Sequence, residues 1–187
     1  MTAILITPPR FADERGWFSE TWNARVFAAK GIAADFCQDN HSYSRSAGTL
    51  RGLHFQRDPQ AQAKLVRCLR GRIFDVAVDL RRDSPTFAKW TGAELTAAGG
   101  EQLFVPAGYA HGYLTLEDDC EVAYKVDAYW AREAEIGIAW NDPTLAIAWP
   151  LGDLRPILSD KDSDLPSLAD AAPDFAYDGT PLLPLGH

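Results

Sequence analysis

Apolar and polar residues along this chain alternate with a period of two far more often than they recur at helical spacing. In residues 72–81, Phe74, Val76, Val78 and Leu80 interleave with Asp75, Ala77, Asp79 and Arg81. That period predicts a strand with one buried and one solvent-facing side. The run 64–69 is joined to it through Arg70-Gly71, where glycine supplies the positive φ of a tight hairpin turn. Further strands are expected at 35–42, 50–56, 102–105, 110–116 and 120–130. Helical patterning is sparse. Asn23 is placed to cap a short helix running through Lys30, with Gly31 as its stop, and 165–171 has room for one or two more turns. Many short strands with few, peripheral helices predict a mainly β architecture, an antiparallel sandwich or closed barrel of jelly-roll type.

Length and composition narrow this picture. With 187 residues, 47% of them apolar, the chain has the size of one domain with a substantial core. A single domain over 1–187 is expected, with the Pro-rich stretch from about 163 packed on it as an appendage. A closed, cupin-like wall leaves a mouth able to hold a ligand. Asp plus Glu outnumber Lys plus Arg by 26 to 18, for a net charge of −8, so a polyanion such as nucleic acid is repelled overall and is not an expected partner. A local basic pocket for one small anion is compatible with that balance. Cys37, Cys68 and Cys120 are odd in number and form no CxxC pair, which argues against a disulfide framework and against a cysteine-held zinc. No apolar run approaches the ~20 residues of a membrane span, and no basic-then-apolar leader opens the chain. A soluble, unprocessed cytoplasmic protein is expected, with no membrane partner.

Three segments carry candidate chemistry. The first is Leu50-Arg51-Gly52-Leu53-His54-Phe55-Gln56, followed by Lys64. A neutral imidazole is a good general base near neutrality, and a nearby ammonium stabilises an oxyanion made by proton removal. A histidine hydrogen-bonded within a β-core is the bland alternative. In a regular strand His54 and Gln56 share a face and Arg51 points away, unless Gly52 marks a bulge that re-aims it. The second segment, 104–112, reads as a Pro-Gly turn that delivers His111 to a strand. Metal-holding cupins use a His-x-His pair, a nearby Glu and a later His. Here position 56 is Gln and no acidic residue but Asp58 follows closely, so no metal site is expected. The third is 120–130, where Tyr124 and Trp130 share parity and lie about 20 Å apart in an unbroken strand. Core filling is the expectation for Tyr113, Tyr129 and Trp140; for Tyr124 both core and functional readings stand open. Arg15 and Arg51 suit a diphosphate as a guanidinium pair, with surface salt bridging as the alternative.

Taken together, Asp-Glu-Arg-Gly at 13–16, Gln-Asp-Asn-His at 38–41, Leu-Arg-Gly-Leu-His-Phe-Gln at 50–56, Lys-Leu-Val-Arg-Cys at 64–68, Phe-Asp-Val-Ala-Val-Asp at 74–79, Ser-Pro-Thr-Phe at 84–87, Ala-His-Gly at 110–112, Tyr-Lys at 124–125 and Trp-Asn-Asp at 140–142 resemble the dTDP-4-dehydrorhamnose 3,5-epimerase family. The match runs from about residue 6 to 162, and its specificity lies in the shared order and spacing. The resemblance implies a cupin-type homodimer that inverts C3 and C5 of dTDP-4-dehydro-6-deoxy-D-glucose without a cofactor. By it His54 matches the family's base, Tyr124 the proton donor on the opposite side, Lys64 the group beside the enolate oxygen, and Asp162 the carboxylate that orients the histidine. Arg15, Glu20, Gln38, Asp39, Asn40, Arg51, His111, Glu135 and Lys161 fall on nucleotide-sugar contact positions. Trp130 falls where many members carry a Tyr that stacks on thymine, a departure that offers a larger π-face for the same task. A C3-only epimerase, a non-catalytic sugar-binding cupin and a metal-dependent cupin enzyme are the competing readings.

Overall fold

The computed structural model describes residues 1–185. In chain order its elements are β1 (Ile4–Ile6), β2 (Phe11–Asp13), β3 (Gly16–Phe18), α1 (Ala24–Ala28), β4 (Gln38–Ser44), β5 (Leu50–Gln56), β6 (Lys64–Arg70), β7 (Arg72–Asp79), β8 (Trp90–Thr96), β9 (Gln102–Val105), β10 (Tyr109–Thr115), β11 (Cys120–Val126), β12 (Glu135–Gly137), α2 (Asp160–Ser163) and α3 (Leu168–Ala171). Two five-stranded antiparallel sheets form, in the orders β1-β9-β6-β11-β4 and β12-β5-β10-β7-β8, and β2 with β3 makes a separate hairpin. The mainly β, cupin-like jelly roll expected from the alternation is the fold observed.

Three apolar clusters explain how the sheets are held. Between them lie Val66, Leu103, Val105, Cys120 and Val122 from the first sheet against Ile73, Ala77, Leu95, Tyr109 and Tyr113 from the second. The outer side of the second sheet, including Leu53, Phe55, Val76, Val78 and Leu114, is roofed by Leu145, Trp149, Leu168, Ala171 and Phe175. The outer side of the first sheet is covered at Leu65 and Phe104 by Phe27 and Ile32, with Trp22 stacked edgewise between Phe27 and Phe36. Full burial of each such side chain stabilises the fold by about 1.5–3 kcal/mol, so a β-sheet with apolar residues on both sides needs both an interior and an outer layer.

That double layering corrects the reading of β7 as a strand with a solvent face. Val76 and Val78 point into the outer layer, whereas Ala77 and Ile73 point between the sheets. Asp75 and Asp79 are fully buried. Asp79 takes both nitrogens of the Arg81 fork at 2.8 and 2.9 Å, and Arg81 reaches Asp178 at 2.8 Å, which ties the last residues to the barrel. The stretch from 163, expected as an appendage, thus supplies Leu168, Ala171 and Phe175 to the outer layer. In α1 the Asn23 side chain accepts the Arg25 and Val26 N–H groups, as its capping role predicts. β11 ends at Val126 rather than Trp130, and Tyr129, expected in the core, is 70% exposed. Among the described residues no helix is long and apolar enough to cross a membrane.

Candidate active site

The site begins with a fault in strand register. His54 pairs with His111 and Arg51 with Tyr113, so three steps along β5 answer two along β10. The extra residue lies at Gly52, whose φ is +115°, and a Cβ there would stand 2.7 Å from both the Gly112 Cα and the His111 carbonyl oxygen. Only glycine fits so close an approach. The bulge cancels the parity that would separate them, and Arg51 and His54 line one cavity.

That cavity, about 230 Å³, lies between the sheets and is also lined by Ser42, Lys64, His111, Tyr113, Tyr124, Glu135 and Asp162. It shares His54, Lys64, Tyr124 and Glu135 with a second cavity of about 250 Å³, whose further walls include Gln38, Asn40, Gln56 and Trp130. Trp130 and Tyr124 therefore meet the same space: the chain turns after Val126, and the Trp130 N–H donates to Gln38 Oε1 at 3.2 Å. Together the two cavities form an elongated cleft, with titratable groups at one end and an indole, 55% exposed as a residue, at the other.

His54 Nε2 lies 2.6 Å from Asp162 Oδ1. An ionised carboxylate can only accept, so the proton sits on Nε2 and the lone pair on Nδ1. Burial pushes the Asp162 carboxyl up, but its bonds from His54 and Ser159 and the nearby Lys161 charge outweigh that and hold it below the usual range. Ser159 caps α2 by accepting the Asp162 N–H at 3.1 Å and donates to Oδ2 at 2.9 Å. Glu135, opposite Gln56 on the sheet edge, bonds Lys161 at 2.8 Å, so α2 is pinned over β5 from two sides. Burial raises the Glu135 carboxyl, yet the Lys161 ammonium and the Trp130 indole lower it on balance.

On the facing sheet, Lys64 is buried and makes one long bond, at 3.4 Å, to the His54 carbonyl. Burial pulls its ammonium down to about 8, with Asp75 and Glu135 opposing. Tyr124 is raised by burial first and by Glu135 next, against the pull of Arg51, so the phenol keeps its proton at neutral pH. Tyr113 is pushed up to about 12 by burial and shares a hydrogen bond of 2.8 Å with Ser42. His111 Nε2 bonds Asp75 Oδ1 at 2.7 Å, and burial lowers its pKa despite that carboxylate. The cavity thus holds an imidazole on one sheet, and a phenol and an ammonium on neighbouring strands of the other.

Not every expected contact residue gathers here. Arg15 sits at the tip of the β2–β3 hairpin, its side chain 89% exposed and paired with Asp13 at 2.5 Å. Glu20 accepts a bond from Asn23 at 2.9 Å. Asp39 pairs with Lys125 at 2.8 Å on the other side of the first sheet. The guanidinium pair of Arg15 with Arg51 is not formed within one chain, because Arg51 is anchored to Ser44 and the Tyr43 carbonyl. Gln56, which interrupts the metal-binding pattern, is buried with its amide bonded to Gln60, Tyr129 and Ala131. Among the described residues no three His, Cys, Asp or Glu side chains are grouped to hold a metal ion. Sequence reasoning passed over Asp75 and Ser42, and read Tyr113 as core filling, whereas its buried side chain also lines the cavity. For Asp75 the only signal was its place in the polar set of β7, read as a solvent face.

Comparison with known proteins decides the family. The model of the dTDP-4-dehydrorhamnose 3,5-epimerase family matches residues 2–170. The chain belongs to that family. It is 52% identical over 169 residues to the dTDP-4-dehydrorhamnose 3,5-epimerase of Pseudomonas aeruginosa, covering 90% of this chain and 92% of that one. The structure of the Bacillus anthracis enzyme of that name, solved with TDP and PPi bound, superposes with a TM-score of 0.84 at 51% identity over 87% of this chain and 92% of that one. The dTDP-6-deoxy-D-glucose-3,5-epimerase of Legionella pneumophila, in complex with dTDP-4-keto-L-rhamnose, gives a TM-score of 0.85 at 42% identity over 92% and 93% of the two chains. The family's cupin-like barrel is the fold found here, and its members are isomerases.

Proposed function

We propose that this chain inverts C3 and C5 of dTDP-4-dehydro-6-deoxy-D-glucose, giving dTDP-4-dehydro-L-rhamnose by proton transfer. One observation carries the reading: His54 on β5 and Tyr124 on β11 belong to facing sheets yet line the same cavity, so a sugar ring lying between them meets a base on one face and an acid on the other. The 4-keto group acidifies both neighbouring carbons. His54 Nδ1 takes the proton from carbon, the electron pair moves into the carbonyl as an enolate, and the Lys64 ammonium stands beside the oxygen that gains charge. Tyr124 then delivers its hydroxyl proton to the other face and is reprotonated from solvent. A positioned base of this kind is worth about 10²–10⁴ in rate, and a preorganised donor at the oxyanion about 3 kcal/mol. Every step is a proton transfer that these side chains supply.

Arg51, Gln38, Asn40, His111, Glu135 and Lys161 are read as sugar and diphosphate contacts, and Trp130 as the platform for the base, since an indole face stacks on a nucleobase through its π-surface. We further propose a homodimer. The β2–β3 hairpin exposes Phe11, Trp17 and Phe18, and such aromatic area is usually covered by a partner; Arg15 and Glu20 would then serve the partner's cavity. Two singly inactive variants, one at His54 and one at Arg15, should regain activity on mixing. Free cysteines at 37, 68 and 120 suit the cytoplasm.

NMR of the substrate incubated with the protein in D2O tests the activity. Deuterium at C3 and C5 is the expected result. Label at C3 alone selects a C3-only epimerase, and an unlabelled sugar with dTDP still bound selects a non-catalytic binding module.

A further inference from the structure

Asp75 lies just behind the cavity wall and has no assigned role. It is fully buried on β7. One of its oxygens accepts from His111 at 2.7 Å, and the other, Oδ2, is enclosed with no hydrogen-bond partner among the described residues. An unpartnered carboxylate oxygen in a β-barrel interior is costly, so it calls for a reason. Lys64, on the facing sheet, is its counterpart in being buried and poorly bonded: among the described residues its ammonium makes one hydrogen bond, the long one to the His54 carbonyl, and no carboxylate approaches it closely enough for an ion pair. Of the groups that support the Lys64 charge, Asp75 has the largest influence, ahead of Glu135.

We infer that Asp75 is a positioning residue whose buried charge keeps Lys64 an ammonium under the keto-sugar, while its distance leaves the ammonium hydrogens free for the substrate oxygen; this rests on the function proposed above. A carboxylate in contact with Lys64 would occupy those donors and neutralise the field they present. Held back by its bond to His111, the same carboxylate acts through the low-dielectric interior, where charges are felt beyond contact distance. The arrangement separates two needs that conflict in a contact pair: retention of the proton, and availability of that proton to a developing oxyanion.

Asp75→Asn tests this, because asparagine keeps the shape and can still accept from His111 but removes the charge. Solvent-deuterium exchange into the substrate is followed from pH 6 to 10, with dTDP binding measured by calorimetry. Groups facing Lys64 are Asp75 on β7, Glu135 on β12, Lys161 on α2, His54 on β5, His111 on β10 and Tyr124 on β11, so the alkaline limb is assigned by its disappearance in Lys64→Arg. Expected for Asp75→Asn are a limb moved to lower pH by about one unit, and with it a kcat about twofold lower at pH 7 and about tenfold lower on the alkaline side of the limb, with KM within about threefold. An unmoved limb overturns the inference, whatever happens to kcat. Wild-type protein that binds no dTDP and exchanges no protons would instead count against the function proposed for the site. Should the single variant not fold, Lys64→Met/Asp75→Asn removes both buried charges and is compared with Lys64→Met alone. A further loss under about threefold fits action through Lys64, and a further loss of about tenfold overturns it.

Discussion

Two His–Asp pairs of the same construction stand side by side in this barrel, directly opposed in register on β5 and β10, and their differences divide the work between them. In each, an imidazole Nε2 meets a carboxylate oxygen, at 2.6 Å for His54–Asp162 and 2.7 Å for His111–Asp75. The His54 side chain is 25% exposed to the cavity and its carboxylate comes from α2, 108 residues away. The His111 side chain is 7% exposed and its partner 0%, on the next strand of the same sheet. Burial lowers the pKa of His111, which leaves it a neutral contact group, whereas His54 has access to the substrate space and a carboxylate able to stabilise the imidazolium it becomes. Identical pairing geometry therefore does not make identical function; solvent access decides which ring can gain and lose a proton.

The contrast can be broken by substitution. His54→Asn should lower solvent exchange at C3 and C5 by about 10³-fold or more, with dTDP affinity little changed by calorimetry; equal losses in His54→Asn and His111→Asn would erase the distinction. Gly52→Ala should destabilise the protein by about 3 kcal/mol, because the new Cβ must displace backbone at Gly112. In a thermal melt that is a fall of roughly 6–12 °C for a chain of this size, and a melt unchanged from wild type would mean the bulge is not needed. Asp162→Asn should cost on the order of 10² in kcat, since the amide can donate to Nε2 and so favour the wrong tautomer; ¹⁵N shifts of the His54 ring report that change directly. His111→Asn should cost only about tenfold, mostly in KM, as expected for a lost hydrogen bond to substrate. The smallest effect at pH 7 is that of pH itself. Lys64 is charged below about 8 and loses its proton above it, so kcat should fall on the alkaline side of pH 8, and a profile flat to pH 10 would remove Lys64 from the oxyanion site.

Legibility in the sequence followed the range of each interaction. Strands β5 and β9 could be bounded from short local runs of strand-forming residues, and Asn23 from its capping chemistry, because these signals are local. β1, β2, β3, β8 and β12 could not, being three-residue segments or, like 90–96, a run whose alternation is broken at Gly92. His54 and Lys64 stood out because an imidazole and an ammonium in one stretch suggested proton chemistry, while Tyr124 stood open between core and function until family resemblance gave it a role and added Asp162. The resemblance also named Arg15, Glu20 and Asp39, which lie outside the cavity of their own chain.

By itself, then, the order of residues determined the strand-rich class, the short capped helix and the chemical inventory of the site, since each depends on period, turn chemistry or side-chain type. Only the tertiary structure decided that the polar side of β7 faces the barrel interior, that the Gly52 bulge turns Arg51 and His54 to one side, and that α2 brings a carboxylate to His54. A two-residue period says that a strand has two faces, but what covers each face is set by layers that arrive from distant parts of the chain.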